Sequence, residues 1–130
     1  MGRKSVSGKQ IAEIAAEAIG KRNYDPIEFI VWLFRHADIE LEEDLVAIWD
    51  KGAPVVGSDL DPADVVFRTG KPARLLPTKR YAGHLGVFVG GKERDIVHVD
   101  PDSGRITKVP INDFLEEGSF RGTRRLIASS

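Results

Sequence analysis

Asp25-Pro26-Ile27-Glu28-Phe29-Ile30-Val31-Trp32-Leu33-Phe34-Arg35-His36 is the stretch on which the reading of this chain turns. Its first four residues spell a helix start. An aspartate suits the N-cap, where its carboxylate accepts from free amides of the first turn. Proline suits the first helical position, which needs no N–H, and Glu28 falls at the third. Phe29 to Phe34 are apolar on nearly every side, which marks a helix buried in the middle of a domain. β-Branched and aromatic residues are frequent among them, so burial must select helix over strand. His36 arrives where the negative end of the helix dipole would favour it.

Upstream, Ser7-Gly8-Lys9-Gln10 has the form of a capping box. Ile11, Ile14, Ala15, Ala18 and Ile19 then mark one helical face, and Gly20 supplies a stop. Residues 1–22 therefore read as an N-terminal helical extension of one domain spanning 1–130. Downstream, the spacing predicts a helix from Glu42 to Lys51, with Leu41, Leu45, Ile48 and Trp49 inward and Gly52 ending it. Trp32 and Trp49 are both expected in the core.

The second half changes character. Strands are expected at Asp64–Phe67, Leu85–Val89, Asp95–Val99, Arg105–Val109 and Thr123–Ala128. Gly90-Gly91 and Asp100-Pro101-Asp102-Ser103-Gly104 are turn signals between them. Asn112 is expected to cap one helical turn reaching Glu116. Thr69 to Gly83 reads as a basic loop carrying Lys71, Arg74, Lys79 and Arg80. Helices followed by an antiparallel meander give the class α+β, with the helices packed on the sheet.

Composition narrows the chemistry. The 130 residues carry 19 Lys+Arg against 20 Asp+Glu, a formal net charge of −1. A general nucleic-acid binder would carry a basic excess, so no nucleic-acid partner is expected. The chain has no cysteine, which excludes disulfides, thiolate metal sites and thiol nucleophiles. No apolar run is long enough to span a bilayer, so no membrane insertion is expected. Met1-Gly2-Arg3-Lys4-Ser5 is charged, but no continuous apolar segment follows, so no signal peptide is expected.

Several segments, in order, resemble the NlpC/P60 family of papain-like cysteine peptidases, which usually cut the peptide stems of bacterial cell walls. The family's helix motif, roughly Tyr-Asp-Cys-Ser-Gly-Phe-Val, reads here Tyr24-Asp25-Pro26-Ile27-Glu28-Phe29-Ile30. Its Leu-x-Pro-Gly-Asp-Leu-Val-Phe motif reads Leu60-Asp61-Pro62-Ala63-Asp64-Val65-Val66-Phe67. Its His-Val-Gly-Ile-Tyr-x-Gly strand reads His84-Leu85-Gly86-Val87-Phe88-Val89-Gly90, and its Ile-His strand reads Ile96-Val97-His98. The closing Gly-x-Arg-Arg-Val resembles Gly122-Thr123-Arg124-Arg125-Leu126. The resemblance implies the family fold from Tyr24 to Leu126.

It also implies a site from which the reactant has been removed. Pro26 stands at the family's nucleophile position, and Ile27 and Glu28 replace the small residues after it. His84 and His98 stand where the family has its base and the base's orienting partner. That chemistry needs a thiolate at a helix N-terminus beside an imidazole. Pro26 keeps the helix start and has no nucleophilic atom. Pro26, His84 and His98 are thus remnant positions, with Tyr24, Asp25 and Glu28 expected to line the cleft. Asp25 and Glu28 also have the plainer role of capping, and the histidines that of structural hydrogen bonding, which is preferred. His84, His98 and Asp25 or Glu28 have the donor types for zinc or iron. Their spacing carries no zinc-hydrolase motif, so neither a metal nor another cofactor is expected.

Lys71, Arg74, Lys79 and Arg80 form a candidate binding loop for an acidic partner. The resemblance implies a catalytically inactive structural or interaction module. The setting expected is a bacteriophage virion or its host's cytoplasm, with tail subunits as partners. The alternatives are a cell-wall hydrolase using another nucleophile or a metal, and a binder that holds peptidoglycan peptides without cutting them.

Overall fold

A computed structural model describes residues 6–21, 25–56 and 59–127. In chain order the elements are α1 (Gly8–Glu17), α2 (Pro26–Arg35), α3 (Leu45–Lys51), β1 (Ala53–Pro54), β2 (Val65–Arg68), β3 (Arg74–Leu75), β4 (Tyr81–Ala82), β5 (His84–Gly90), β6 (Asp95–Val99), β7 (Ile106–Pro110), α4 (Ile111–Phe114) and β8 (Phe120–Arg125).

The deciding helix forms as its sequence predicts. The Asp25 carboxylate accepts from the amides of Ile27 at 2.9 Å and Glu28 at 3.4 Å. Phe29, Ile30, Val31, Leu33 and Phe34 are buried. At the other end, Nδ1 of His36 lies 3.1 and 3.2 Å from the carbonyls of Trp32 and Leu33. Trp32 is only half-buried, contrary to expectation. Its ring stacks on Phe29 and meets His36 edge-on at the surface side of the helix.

α1 carries the expected capping box, with Ser7 and Gln10 bonding each other's backbone. Its Ile11, Ala15 and the following Ala18 join the same cluster as α2. α3 begins later than its apolar pattern predicts. Asp44 bonds the Ala47 amide at 3.0 Å and fixes the start at Leu45, so Glu42 and Glu43 stay outside.

The main sheet has six antiparallel strands in the order β1-β8-β2-β5-β6-β7. Alternation along the strands gives it two faces. Val65, Phe67, Leu85, Val87, Val97 and Val99 join the helices in the larger core. Val66, Phe88 and Ile96 point the other way and meet Phe114 of α4 in a smaller one. Each such fully buried large side chain contributes about 1.5–3 kcal/mol.

Four strands, β2, β5, β6 and β7, pair in succession, but the sheet is not a simple meander. β8 returns across the molecule to lie beside β2. That pairing, Val66 opposite Thr123 and Val65 opposite Arg124, ends β8 at Arg125 rather than at residue 128 as expected. Asn112 lies inside α4, and the cap position is Pro110, with no side-chain bond. The basic segment is not a plain loop: β3 and β4 form a small hairpin within it, Arg74 opposite Ala82 and Leu75 opposite Tyr81.

Candidate functional site

His84 opens β5 and His98 lies near the end of β6. Hairpin pairing of these strands, with Val87 opposite Val97, brings the two side chains together. Nε2 of His84 lies 2.9 Å from Nδ1 of His98. The rings meet edge-on, 5.1 Å between centroids. Gly86 makes room for them: a Cβ there would lie 3.1 Å from the His98 Cβ and 3.2 Å from the Phe114 ring. Phe114 closes the other side, 5.7 Å from the His84 ring and 5.0 Å from the His98 ring.

Arg68, the last residue of β2, completes the cluster. Its Nη1 donates to the Phe114 carbonyl at 2.6 Å. Its guanidinium carbon stands 4.5 Å from the centre of the Phe114 ring. Burial, reinforced by the Arg68 charge, pushes His84 down to about 3 and His98 down to about 4. Both imidazoles are therefore neutral near pH 7, one donating to the other.

His84 faces a cavity of about 500 Å³. Asp25, Pro26 and Ile27 from the first turn of α2 form one wall. Arg68, Thr69, Lys71 and Arg74 form another, as the chain leaves β2 for the hairpin. That crossing depends on two glycines in close contact. A Cβ on Gly70 would lie 2.9 Å from both the Gly83 carbonyl carbon and the His84 Cβ, and one on Gly83 would collide with the Gly70 backbone.

Pro26 and His84 thus share one cavity, and His98 stands behind His84 as its hydrogen-bond partner. Asp25 lines the cavity while capping α2. Glu28 is exposed and is not among the lining residues. Tyr24 lies outside the described residues. The basic loop divides: Lys71 and Arg74 line the cavity, whereas Lys79 and Arg80 lie at the turn of the β3–β4 hairpin and do not. Arg74 is held by Asp44 at 2.9 Å. Among the described residues, no group of three or more His, Asp or Glu side chains is placed to hold a metal ion.

Sequence reasoning missed Arg68 and Phe114. The available signal was an arginine directly after the apolar strand Val65-Val66-Phe67, a position where burial of a charge demands a partner.

Neither a protein-family model nor a curated protein matches the sequence. Solved structures match its shape. An NlpC/P60 family protein from Bacillus cereus superposes with a TM-score of 0.77 at 14% identity, over 96% of this chain and 42% of that one. NlpC2 from Trichomonas vaginalis gives 0.77 at 14% identity, over 99% of this chain and 49% of that one. The NlpC/p60 domain of the peptidoglycan hydrolase SagA gives 0.69 at 16% identity, over 92% and 98%. The chain spans less than half of the first two structures and nearly all of the SagA domain. With helices and sheet arranged as described and these structures superposing on it, the chain has the NlpC/P60 fold.

Proposed function

We propose that this chain is a non-hydrolysing NlpC/P60-fold domain that holds a peptidoglycan peptide in its cleft. One observation carries the proposal: the cavity beside His84 is open, and the helix-start residue facing it is Pro26. His84 and His98, which the sequence resemblance sets at the positions of base and partner, are hydrogen-bonded to each other through Nε2 of His84, which supports the reading. A thiol at the start of α2 would complete an acyl-transfer site, and proline cannot supply one. Losing a nucleophile leaves only binding and electrostatic contributions, about 10³-fold or more below the intact machinery. Peptide as ligand class comes from the likeness to SagA, named as a peptidoglycan hydrolase. The open cleft favours binding over a purely scaffolding role. The setting proposed is a phage virion, with other tail subunits as partners, and it rests on the sequence resemblance. Purifying the native assembly and identifying what accompanies this chain tests it.

For the central claim, the domain is mixed with purified cell-wall sacculi. It is expected to sediment with them and to release no soluble peptide above background. Release that disappears in His84→Ala and survives a chelator overturns the non-hydrolysing reading. Release abolished by the chelator favours a metal-dependent hydrolase instead.

A further inference from the structure

Resting on that reading of the cleft, we propose that Arg68 and Lys71 form a subsite for a carboxylate, so that the domain grips its ligand by an acidic group. Arg68 is half-buried, and the hydrogen bond recorded for its guanidinium is to the Phe114 carbonyl. Among the described residues no carboxylate lies within ion-pair distance of it, whereas Arg74 has Asp44 and Arg125 has both Asp61 and Asp64. Burial lowers its pKa, and Glu116 and Asp100 offset this only from a distance. A guanidinium carries five N–H donors in a planar fork. A partly desolvated fork with most donors unused suits a carboxylate, which accepts two parallel bonds from it.

Lys71 faces the same cavity, is exposed, and has no carboxylate partner among the described residues. The other charges there are committed. Arg74 is clamped to Asp44, and the Asp25 carboxylate occupies the Ile27 and Glu28 amides. The α2 N-terminus is thereby closed to an anion, and Asp25 repels one toward the opposite wall. Neutral His84 adds no competing charge. The acidic group of a ligand therefore seats against Arg68 and Lys71, with the rest of the ligand running toward Pro26.

Calorimetric titration of the full chain tests the subsite with three probes: N-acetyl-alanyl-alanine, its C-terminal amide, and inorganic phosphate. The free acid is expected to bind at least about tenfold more tightly than the amide, since hydrogen bonds to charged groups are the strong ones. Added salt should weaken the acid and leave the amide unchanged. Arg68→Gln, which keeps a donor for the Phe114 carbonyl, should abolish the preference, and the exposed Lys71→Gln should reduce it severalfold. If Arg68→Gln fails to fold, the acid-to-amide comparison and Lys71→Gln still decide. Acid and amide binding equally overturns the subsite and leaves the peptide-binding reading standing. Arg68-dependent binding of phosphate but of neither peptide supports the anion site and overturns the peptide reading. No binding of any probe overturns both.

Discussion

The two histidines at the cavity carry a pH dependence that follows from their burial. In the folded protein His84 stays neutral to about pH 3 and His98 to about pH 4. In the unfolded chain each takes up a proton near 6.5. Between those limits the unfolded state binds up to two more protons, so stability falls as pH drops through the window from about 6.5 to 4. Each imidazole contributes a slope of up to about 1.4 kcal/mol per pH unit there. Asp100 opposes the shifts of both histidines, while Arg68 deepens them. Urea unfolding followed between pH 7 and 4 should show a falling midpoint, and the decline should flatten in His84→Gln/His98→Gln. A wild-type midpoint constant across that range would mean that the folded pair accepts protons freely. Both histidines were legible as candidates in the sequence through the family resemblance, which sets them at the positions of the base and its orienting partner. Their mutual hydrogen bond was not, since it depends on strand register and on Gly86 yielding space.

Between elements, the tie that matters most joins the start of β2 to the end of β8. Asp64 is buried, and its two oxygens accept from Nε and Nη2 of Arg125 at 2.9 Å each. One of them also accepts from the Asp61 amide at 2.8 Å. Arg125→Ala strands a buried carboxylate and should cost about 3–5 kcal/mol. Asp64→Asn, which keeps the shape and some acceptor capacity, should cost less. Denaturant melts of both variants check the order, and equal losses under about 1 kcal/mol would show a solvated, dispensable pair. Asp64 follows Ala63, which adopts φ of +81° where the family motif has glycine. The turn geometry is thus kept against the steric preference of an L-residue. The Pro-x-Asp segment was readable from the sequence, and so was Arg124-Arg125. Nothing local shows that two segments sixty residues apart form a single ion pair.

Across the whole molecule, α1 is part of the main core. Ile11 is fully buried in the cluster that contains Phe29, Phe34 and Val87. Ile11→Ala should therefore destabilise the domain by about 2–5 kcal/mol, with one cooperative transition. A loss below about 1 kcal/mol, or a separate early transition, would make α1 an independent appendage.

Local chemistry carried a good deal on its own. The Asp25-Pro26 start, the Ser7–Gln10 capping box and the strands expected at Leu85–Val89 and Asp95–Val99, which lie within the observed ones, depend on residues within a few positions of one another. Short-range sterics and hydrogen bonding decide such features, so the sequence by itself determined them, together with the absence of any thiol. What needed the tertiary structure depends on residues far apart in the chain. Where β8 ends is decided by β2 and β1, which it pairs with after a return across the sheet. The hairpin β3–β4 has only two residues per strand, too few to show a period. The cavity is empty space between α2, the end of β2 and the crossing of Gly70 over Gly83. Arg68 becomes a candidate site residue because folding partly removes its charge from water with no carboxylate within ion-pair distance among the described residues, and burial of that kind is a property of packing rather than of sequence order.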